Sequence, residues 1–304
     1  MPLSSNASTR VPVLAERPFA RAWHEFCESV GAVVALIVVI VLIVLAAGAP
    51  WITPQNPYDL TQFSIMDNML PPGSRSGDGI RHILGTDDQG RDMLSAILYG
   101  LRLSLFVALV ATAIAMAIGT AVGVSAGYFG GRIDAILMRL ADIQLSFPAI
   151  LIALILLATL GKGVDKVIVA LVSVQWAYYA RTIRGSALVE RQREYIEAAR
   201  CLALPQWRIM FRHVLPNAFP PLIVVATVQL AHAIALEATL SFLGVGVPIT
   251  QPSLGLLIAN GYGYMLSGKY WIAFYPGIVL LGTIVAVNLV GDRLGDMLNP
   301  QLKR

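Results

Sequence analysis

Uncharged apolar runs recur along the chain at lengths that suit a bilayer. Residues 31–50 carry no charged side chain and are dense in Val, Ile, Leu and Ala; 103–128, 143–161, 167–180, 216–236 and 270–291 follow, the fifth run interrupted only by His232. A hydrocarbon core needs about 20 apolar residues in helical form. Unsatisfied peptide groups in lipid leave an isolated segment no form but a helix. The pattern therefore predicts six transmembrane helices. The third starts before its apolar run, near Asp134, with Arg139 and Asp142 in its first turns at a spacing that lets them pair. The fourth is short, and Lys166 and Arg181 at its ends snorkel outward. Residues 238–268 are also uncharged, but Pro248, Pro252 and several glycines break them, which predicts a short re-entrant or interfacial helix over 253–266 rather than a seventh span.

Composition agrees with an all-α polytopic membrane protein. The chain of 304 residues is 57% hydrophobic and 13% charged, against about 45–50% and about 25% in soluble domains. An ordinary water-soluble enzyme is excluded. Two cysteines, Cys27 and Cys201, exclude a disulfide scaffold and a four-cysteine metal site. Lys and Arg set the orientation. With the N-terminus inside, the inner segments hold 15 of the 22 basic residues and the outer segments seven, so both termini are expected in the cytoplasm with the cysteines on the reducing side. The first apolar run is twice as long as a usual signal-peptide core and about 30 mixed-charge residues precede it, so it is expected to stay as an anchor. The expected organisation is a cytoplasmic tail over 1–30, with an amphipathic stretch at 19–26, and a transmembrane domain over 31–304. That domain includes an outer segment (51–100) and an inner loop (181–216).

The outer segment opens with Pro54, Pro57, Pro71, Pro72, Gly73, Gly77 and Gly79, a loop composition, and tightens into LGTDDQGRDMLSAILYGLRLSL at 84–105, where Thr86 or Asp87 can cap a helix running into the second span. Asp87, Asp88 and Asp92 lack the alternation of an EF-hand and read as capping or contact residues. The second span carries Ala115, Gly119, Gly123, Gly127 and Gly131 at intervals of four, a stripe on which a helix of this chain or of another can pack closely. Gln229 and His232 are candidates for a polar lining of a translocation path; Glu237 reads as a structural, hydrogen-bonded carboxyl. Trp176, Tyr178 and Tyr179 beside Arg181 read as an interfacial anchor.

The inner loop holds seven arginines against Glu190, Glu194 and Glu197, an excess of four positive charges equal to the net charge of the whole chain. Within it, REYIEAARCLALPQWRIMFRHVLPN (193–217) contains a short helix over 194–203, in which Glu197 can pair with Arg193 or Arg200. Pro205 ends that helix and starts a second one; Pro216 punctuates the approach to the fifth span. The result is a helix–turn–helix beneath the membrane.

This segment resembles the EAA loop of ABC-importer permeases: Glu197-Ala198-Ala199, three residues, Ala203 where the family has Gly, nine residues, His213 where it has Ile, one residue, then Leu215-Pro216. An alanine in a left-handed turn costs about 1–2 kcal/mol, so either the turn at Ala203 is right-handed or Pro205 alone makes the break. RHVLPN, together with 84–105, AGYFGGRID (126–134), DIQLSFPAILIAL (142–154) and LEATLSFLGVGV (236–247), is similar to the C-type, second permease subunit of the dipeptide/oligopeptide/nickel branch. The resemblance implies the type I importer architecture in a bacterial inner membrane. It also implies a second homologous permease, two cytoplasmic ATPase subunits, an extracytoplasmic solute-binding protein and no nucleic-acid partner. Arg193, Glu194, Glu197, Ala198, Ala199, Arg200 and Ala203 would couple to the ATPase, with Glu197 as ion-pair partner of one of its cations. The chain has no Gly-x-x-x-x-Gly-Lys-Ser/Thr loop, so no cofactor is expected in it and ATP would be bound by the partners. A self-contained secondary transporter or channel is the alternative, and it would need internal repeats that the sequence does not display. A membrane enzyme would need a site, and His24, His82, His213 and His232 are dispersed without ligand spacing.

Overall fold

The computed structural model describes residues 24–298 except residue 78. Most of the tail expected over 1–30, Arg10, Arg17, Arg21, Lys303 and Arg304 lie outside the described residues. The described residues are helical, with two isolated bridges in the outer segment and no longer strand. The long elements are α1 (Val30–Ala47), α2 (Met93–Phe129), α3 (Gly131–Ser146), α4 (Ala149–Leu160), α5 (Val164–Glu190), α6 (Glu194–Cys201), α7 (Pro220–Phe242), α8 (Leu254–Tyr262) and α9 (Trp271–Leu298). Among them α1, α2, α7 and α9 are long and apolar enough to cross a membrane; α3 and α4 would add a fifth crossing if counted as one span.

Three helices differ from the pattern read along the chain. The third span is not continuous: α3 and α4 meet at 90°. Pro148 disfavours the helical conformation at the residue before it, and Phe147 is extended (φ −98°, ψ 143°). The fourth does not stop at 180. It continues to Glu190, so Arg181 and Arg184 lie on a helix rather than in a loop. The fifth starts at Pro220, four residues after Pro216, because the chain keeps its helical course through Pro216 by widening one turn. At 253–266 the structure has the nine-residue α8, about 14 Å long at 1.5 Å per residue and too short to cross.

The three largest clusters of buried side chains among the described residues follow one another along the bundle. One surrounds the Met93 end of α2, with Ala46, Ile97, Leu254 and Trp271; one fills the middle, with Val107, Leu171, Ile234 and Val287; one closes the Phe129 end, with Tyr179, Ile196, Ile209 and Leu222. The small-residue stripe faces α5 of the same chain. A Cβ on Gly123 would lie 2.1 Å from Ile183 Cγ2 and 2.2 Å from the Ala180 carbonyl oxygen, so only glycine permits this approach. Gly131, the last of the stripe by spacing, has left α2 for α3, and a Cβ added there would meet nothing within 4 Å. At the Phe129 end, the Arg293 guanidinium near the close of α9 donates to the Glu25 carbonyl and stands 3.9 Å from the Glu28 carboxylate. The chain before α1 and the last turns of α9 therefore share one end of the bundle.

Candidate docking elbow and polar cleft

Below the Phe129 end, α6 and the helical stretch after it form a bent arm. Glu194 and Glu197 occupy the first turn of α6 and Arg200 the last, each suited to the helix dipole. Ile196 and Ala199 are buried against Tyr128, Ile209 and Val214. The helix closes on a Schellman motif: Leu204 N–H donates to the Ala199 carbonyl at 3.2 Å, and Ala203 N–H to that of Arg200 at 2.9 Å. Ala203 itself is left-handed, φ +53°. Of the two expected ways around a left-handed alanine, neither is taken; the turn has the glycine geometry without the glycine. Pro205 then opens the second helix. Over Met210–Val214 the helix widens to a π-turn, with Leu215 N–H bonded to Met210 O. Pro216 accounts for it, since its ring has no N–H to donate and would clash with the Arg212 carbonyl in a regular turn.

The arm is fastened to the bundle by polar contacts at its joints. Arg191 Nη1 donates to the Gly127 and Tyr128 carbonyls, both at 3.1 Å, closing the C-terminus of α2. The Tyr128 hydroxyl donates to Gln206 Oε1, and the Arg200 guanidinium stands 5.9 Å over the Tyr128 ring. Tyr195 donates to Glu190 at 2.6 Å and accepts from Asn217 at 3.2 Å. Burial, and then the Glu190 carboxylate, hold the Tyr195 phenol above its ordinary pKa. Between α3 and α5, Arg184 grips Asp134 with two bonds of 2.6 Å, and Arg181 meets Asp142 at 2.5 Å. Asp142 thus pairs across helices and not with Arg139 along its own.

The sequence-predicted residues separate into two sets. Arg193, Glu194, Glu197, Ala198, Arg200 and Ala203 are exposed; Ala199 is turned into the core and cannot meet a partner. The expected pairs of Glu197 with Arg193 or Arg200 do not form; Arg193 instead approaches Glu190 at 3.7 Å. Glu197 keeps its charge free. Sequence reasoning missed the apolar part of the same surface: Leu202 is 74% exposed and Trp207 66%. The signal available was a tryptophan in an arginine-rich segment with no bilayer span around it.

A second feature lies within the bundle. A cleft of about 450 Å³ opens where α4, α5 and α7 meet. Ala149 and Ile150, the first residues of α4 after the break at Pro148, form one wall of it. Gln229, His232 and Thr239 reach it from one face of α7, Gln175 and Tyr178 from α5. Both residues expected on a path are present, and Gln175, Tyr178 and Thr239 join them. No Asp, Glu, Lys or Arg lines it. Tyr178 lines the cleft, and Tyr179 is fully buried in the α2–α5 seam, which removes it from the anchor expected beside Arg181. Glu237 lies apart, fully buried, accepting from Ser104 at 2.7 Å and Ser241 at 2.8 Å, the structural role expected of it.

At the Met93 end, Asp92 and not Thr86 or Asp87 caps α2, accepting from Ser95 N–H and hydroxyl at 2.8 Å each. Asp87 accepts from Arg91 Nε at 2.6 Å, and His82 Nδ1 meets Asp92 at 3.0 Å. All four side chains are buried.

Comparison with known proteins finds two family models along the chain: the binding-protein-dependent transport system inner membrane component over residues 119–304, and the N-terminal TM domain of oligopeptide transport permease C over 17–72. The chain is 40% identical over 287 residues to the dipeptide transport system permease protein DppC of Escherichia coli K12, covering 94% of each. It is 35% identical to the di/tripeptide transport system permease protein DppC of Pseudomonas aeruginosa UCBPP-PA14, covering 94% of this chain and 93% of that one. Among solved structures, an inward-facing conformation of the MetNI methionine ABC transporter matches with a TM-score of 0.55 and 22% identity, over 68% of this chain and 98% of that one.

Proposed function

The chain belongs to the family of binding-protein-dependent transport system inner membrane components, as a C-type peptide permease of a bacterial ABC importer, and we propose that it carries the force of ATP hydrolysis through α6 to the cleft between α4, α5 and α7. The ATP is bound by two cytoplasmic ATPase subunits. A second permease completes the pore and an extracytoplasmic binding protein delivers dipeptides or longer peptides. The chain itself is a transducing subunit and not an enzyme.

The reading includes six spans with both termini in the cytoplasm, a short tail before α1, and the segments 51–100 outside and 181–216 inside. The meeting of Arg293 with Glu25 supports it, since an even number of crossings returns the chain to the side it left. The sixth crossing is α5, whose lower part is too charged for lipid but is shielded by α2 and α3. α2 is 37 residues and about 55 Å long. It exceeds the bilayer core by about 25 Å, enough to carry the arm below the membrane.

The observation that carries the proposal is the exposed face of α6. A surface of both charge signs beside apolar side chains, with Glu197 unpaired, is held on a mount fastened to α2 through Tyr128 and Arg191. A helix that rocks with an ATPase must pass on movement rather than absorb it. Glu197, Glu194, Arg193, Arg200 and Ala198 are the contact residues; Ala203 shapes the turn and Ala199 seats the helix. Gln229 and His232 line the path. Glu197→Lys leaves membrane level and melting temperature unchanged and lowers peptide uptake at least tenfold while the ATPase subunits still hydrolyse ATP. Uptake at the parental rate in that variant would overturn the coupling role.

A further inference from the structure

The outer segment carries a hairpin whose two faces differ. Arg75 and Arg81 stand opposite each other across it as an antiparallel bridge. Ser76 N–H donates to the Ile80 carbonyl at 2.8 Å, and His82 N–H to that of Ser74 at 2.9 Å. These bonds flank the bridge rather than join its members. The two arginines therefore hold a non-hydrogen-bonded position, where facing Cβ atoms are about 4.5–5.5 Å apart and point to one side. Alternation along both limbs sorts the neighbours. Ser76 and His82 are buried, while Arg75, Arg81 and Ile83 are exposed, Ile83 by 62%. The inner side is tied down: Asp67 accepts from the Ser76 hydroxyl, and His82 meets Asp92, the cap of α2.

Like charges directly opposite each other destabilise a pair of strands. The segment 51–100 holds six aspartates and three arginines, enough acid to relieve them. Arg91 is spent on Asp87, and neither Arg75 nor Arg81 comes within ion-pair distance of a carboxylate among the described residues. Lipid headgroups are out of reach. Met93 lies ten residues before Leu103, where the uncharged run of α2 begins, so the helix lifts the base of the hairpin about 15 Å beyond that run. A headgroup layer is about 5–8 Å deep. We propose that Arg75, Arg81 and Ile83 are a docking point for an acidic rim of the extracytoplasmic binding protein. Each guanidinium takes a carboxylate as a fork, and Ile83 supplies apolar contact beside them. This rests on the peptide-permease reading above and deepens it, assigning that partner a landing place and a charge. Because the hairpin is tied to the cap of α2 and the arm hangs from the other end of that helix, docking bears on the element that meets the ATPase.

The test uses the assembled importer in vesicles of phosphatidylcholine, with its own binding protein loaded with alanylalanine. The readout is the binding-protein concentration that gives half-maximal uptake. Arg75→Gln combined with Arg81→Gln raises it about tenfold and leaves the rate at saturation unchanged, since charges at a docking surface act on encounter. The shift shrinks as salt is added. Arg75→Glu alone raises it by a similar factor. Lys162→Glu, the same change of charge at another exposed outer position, leaves it at the parental value. Equal shifts in Arg75→Glu and Lys162→Glu, no shift in the double variant, or a lower saturating rate at an unchanged half-maximal concentration overturns the proposal and leaves the permease reading intact. A shift seen only when phosphatidylglycerol is added to the vesicles also overturns it and assigns the pair to lipid. Absence of uptake by the parental complex at every binding-protein concentration overturns that reading and this one with it.

Discussion

The two ends of the bundle treat their charges in opposite ways. At the Met93 end, Asp87, Arg91, His82 and Asp92 are withdrawn from water and paired with one another, Arg91 with Asp87 and His82 with Asp92, leaving His82 Nε2 and Arg91 Nη2 without a hydrogen-bond partner. At the Phe129 end, Glu194, Glu197, Arg193 and Arg208 stand in the open beside Leu202 and Trp207. A buried ion pair costs a great deal to break and contributes little against an apolar replacement; an exposed one is worth about 0–1 kcal/mol either way. The first set is therefore architecture, a fixed head on α2. The second is surface kept for another molecule. The two loops differ in sign as well as in exposure: the outer is acidic and buries its pairs, and the inner is basic and leaves several of its charges in solvent.

The comparison can be broken most directly at Arg91. Arg91→Leu leaves Asp87 buried without its cation and is expected to lower stability by about 3–5 kcal/mol, read as a fall in melting temperature of the detergent-solubilised protein. Replacing Asp87 by Asn as well restores most of the loss, since the amide removes the unpaired charge and its oxygen still accepts from the main-chain N–H groups at 89 and 91. If the single variant melts with the parent, the outer cluster is no more structural than the elbow.

A smaller effect of opposite sign belongs to the elbow. Ala203 adopts φ +53°, so Ala203→Gly relieves a strain of about 1 kcal/mol and raises the melting temperature. A fall would mean that the left-handed turn is not strained and that the alanine packs usefully.

The smallest concerns Asp88. Burial, and then the Asp87 carboxylate, raise its pKa above the ordinary 3.8, with Arg91 opposing. A carboxyl raised in the folded state contributes stability fully present below its unfolded value and lost as pH rises through the folded one. Asp88→Asn therefore stabilises at neutral pH, by no more than about 0.5 kcal/mol once solvent screening is allowed for. The melting curves of variant and parent converge as the pH falls through the carboxylate range. A difference that grows on acidification would reverse the sign assigned to this group.

Much of this was legible along the chain, and the successes share a cause. Four of the spans, the short helix at 253–266, the arm at 193–217 and its proline breaks follow from properties that act locally: hydropathy against a bilayer of fixed thickness, and the missing N–H of proline. Gln229 and His232 stood out because polar side chains are scarce in lipid. The failures share a cause as well. Pro148 was within an apolar run, and hydropathy does not register a 90° bend. Asp142 had a cation three residues away and took one from α5 instead. Gln175, whose amide donates to the Gln229 carbonyl, was overlooked because nothing near it in sequence distinguishes an amide bridging two helices from one facing lipid.

By itself the sequence determined that this chain lies in a membrane, roughly where it crosses, and that a basic arm with alanine at the glycine position lies between two of its apolar runs. Tertiary structure alone decided which charges are hidden, which helix the glycine stripe meets, that Ala203 is left-handed, and that Arg75 stands opposite Arg81. The physical reason is distance along the chain. Tyr128 meets Gln206, Ser104 meets Glu237 and Gln55 meets Asp92 only after the helices have packed, and whether a polar group is satisfied depends on such meetings and not on the residues beside it.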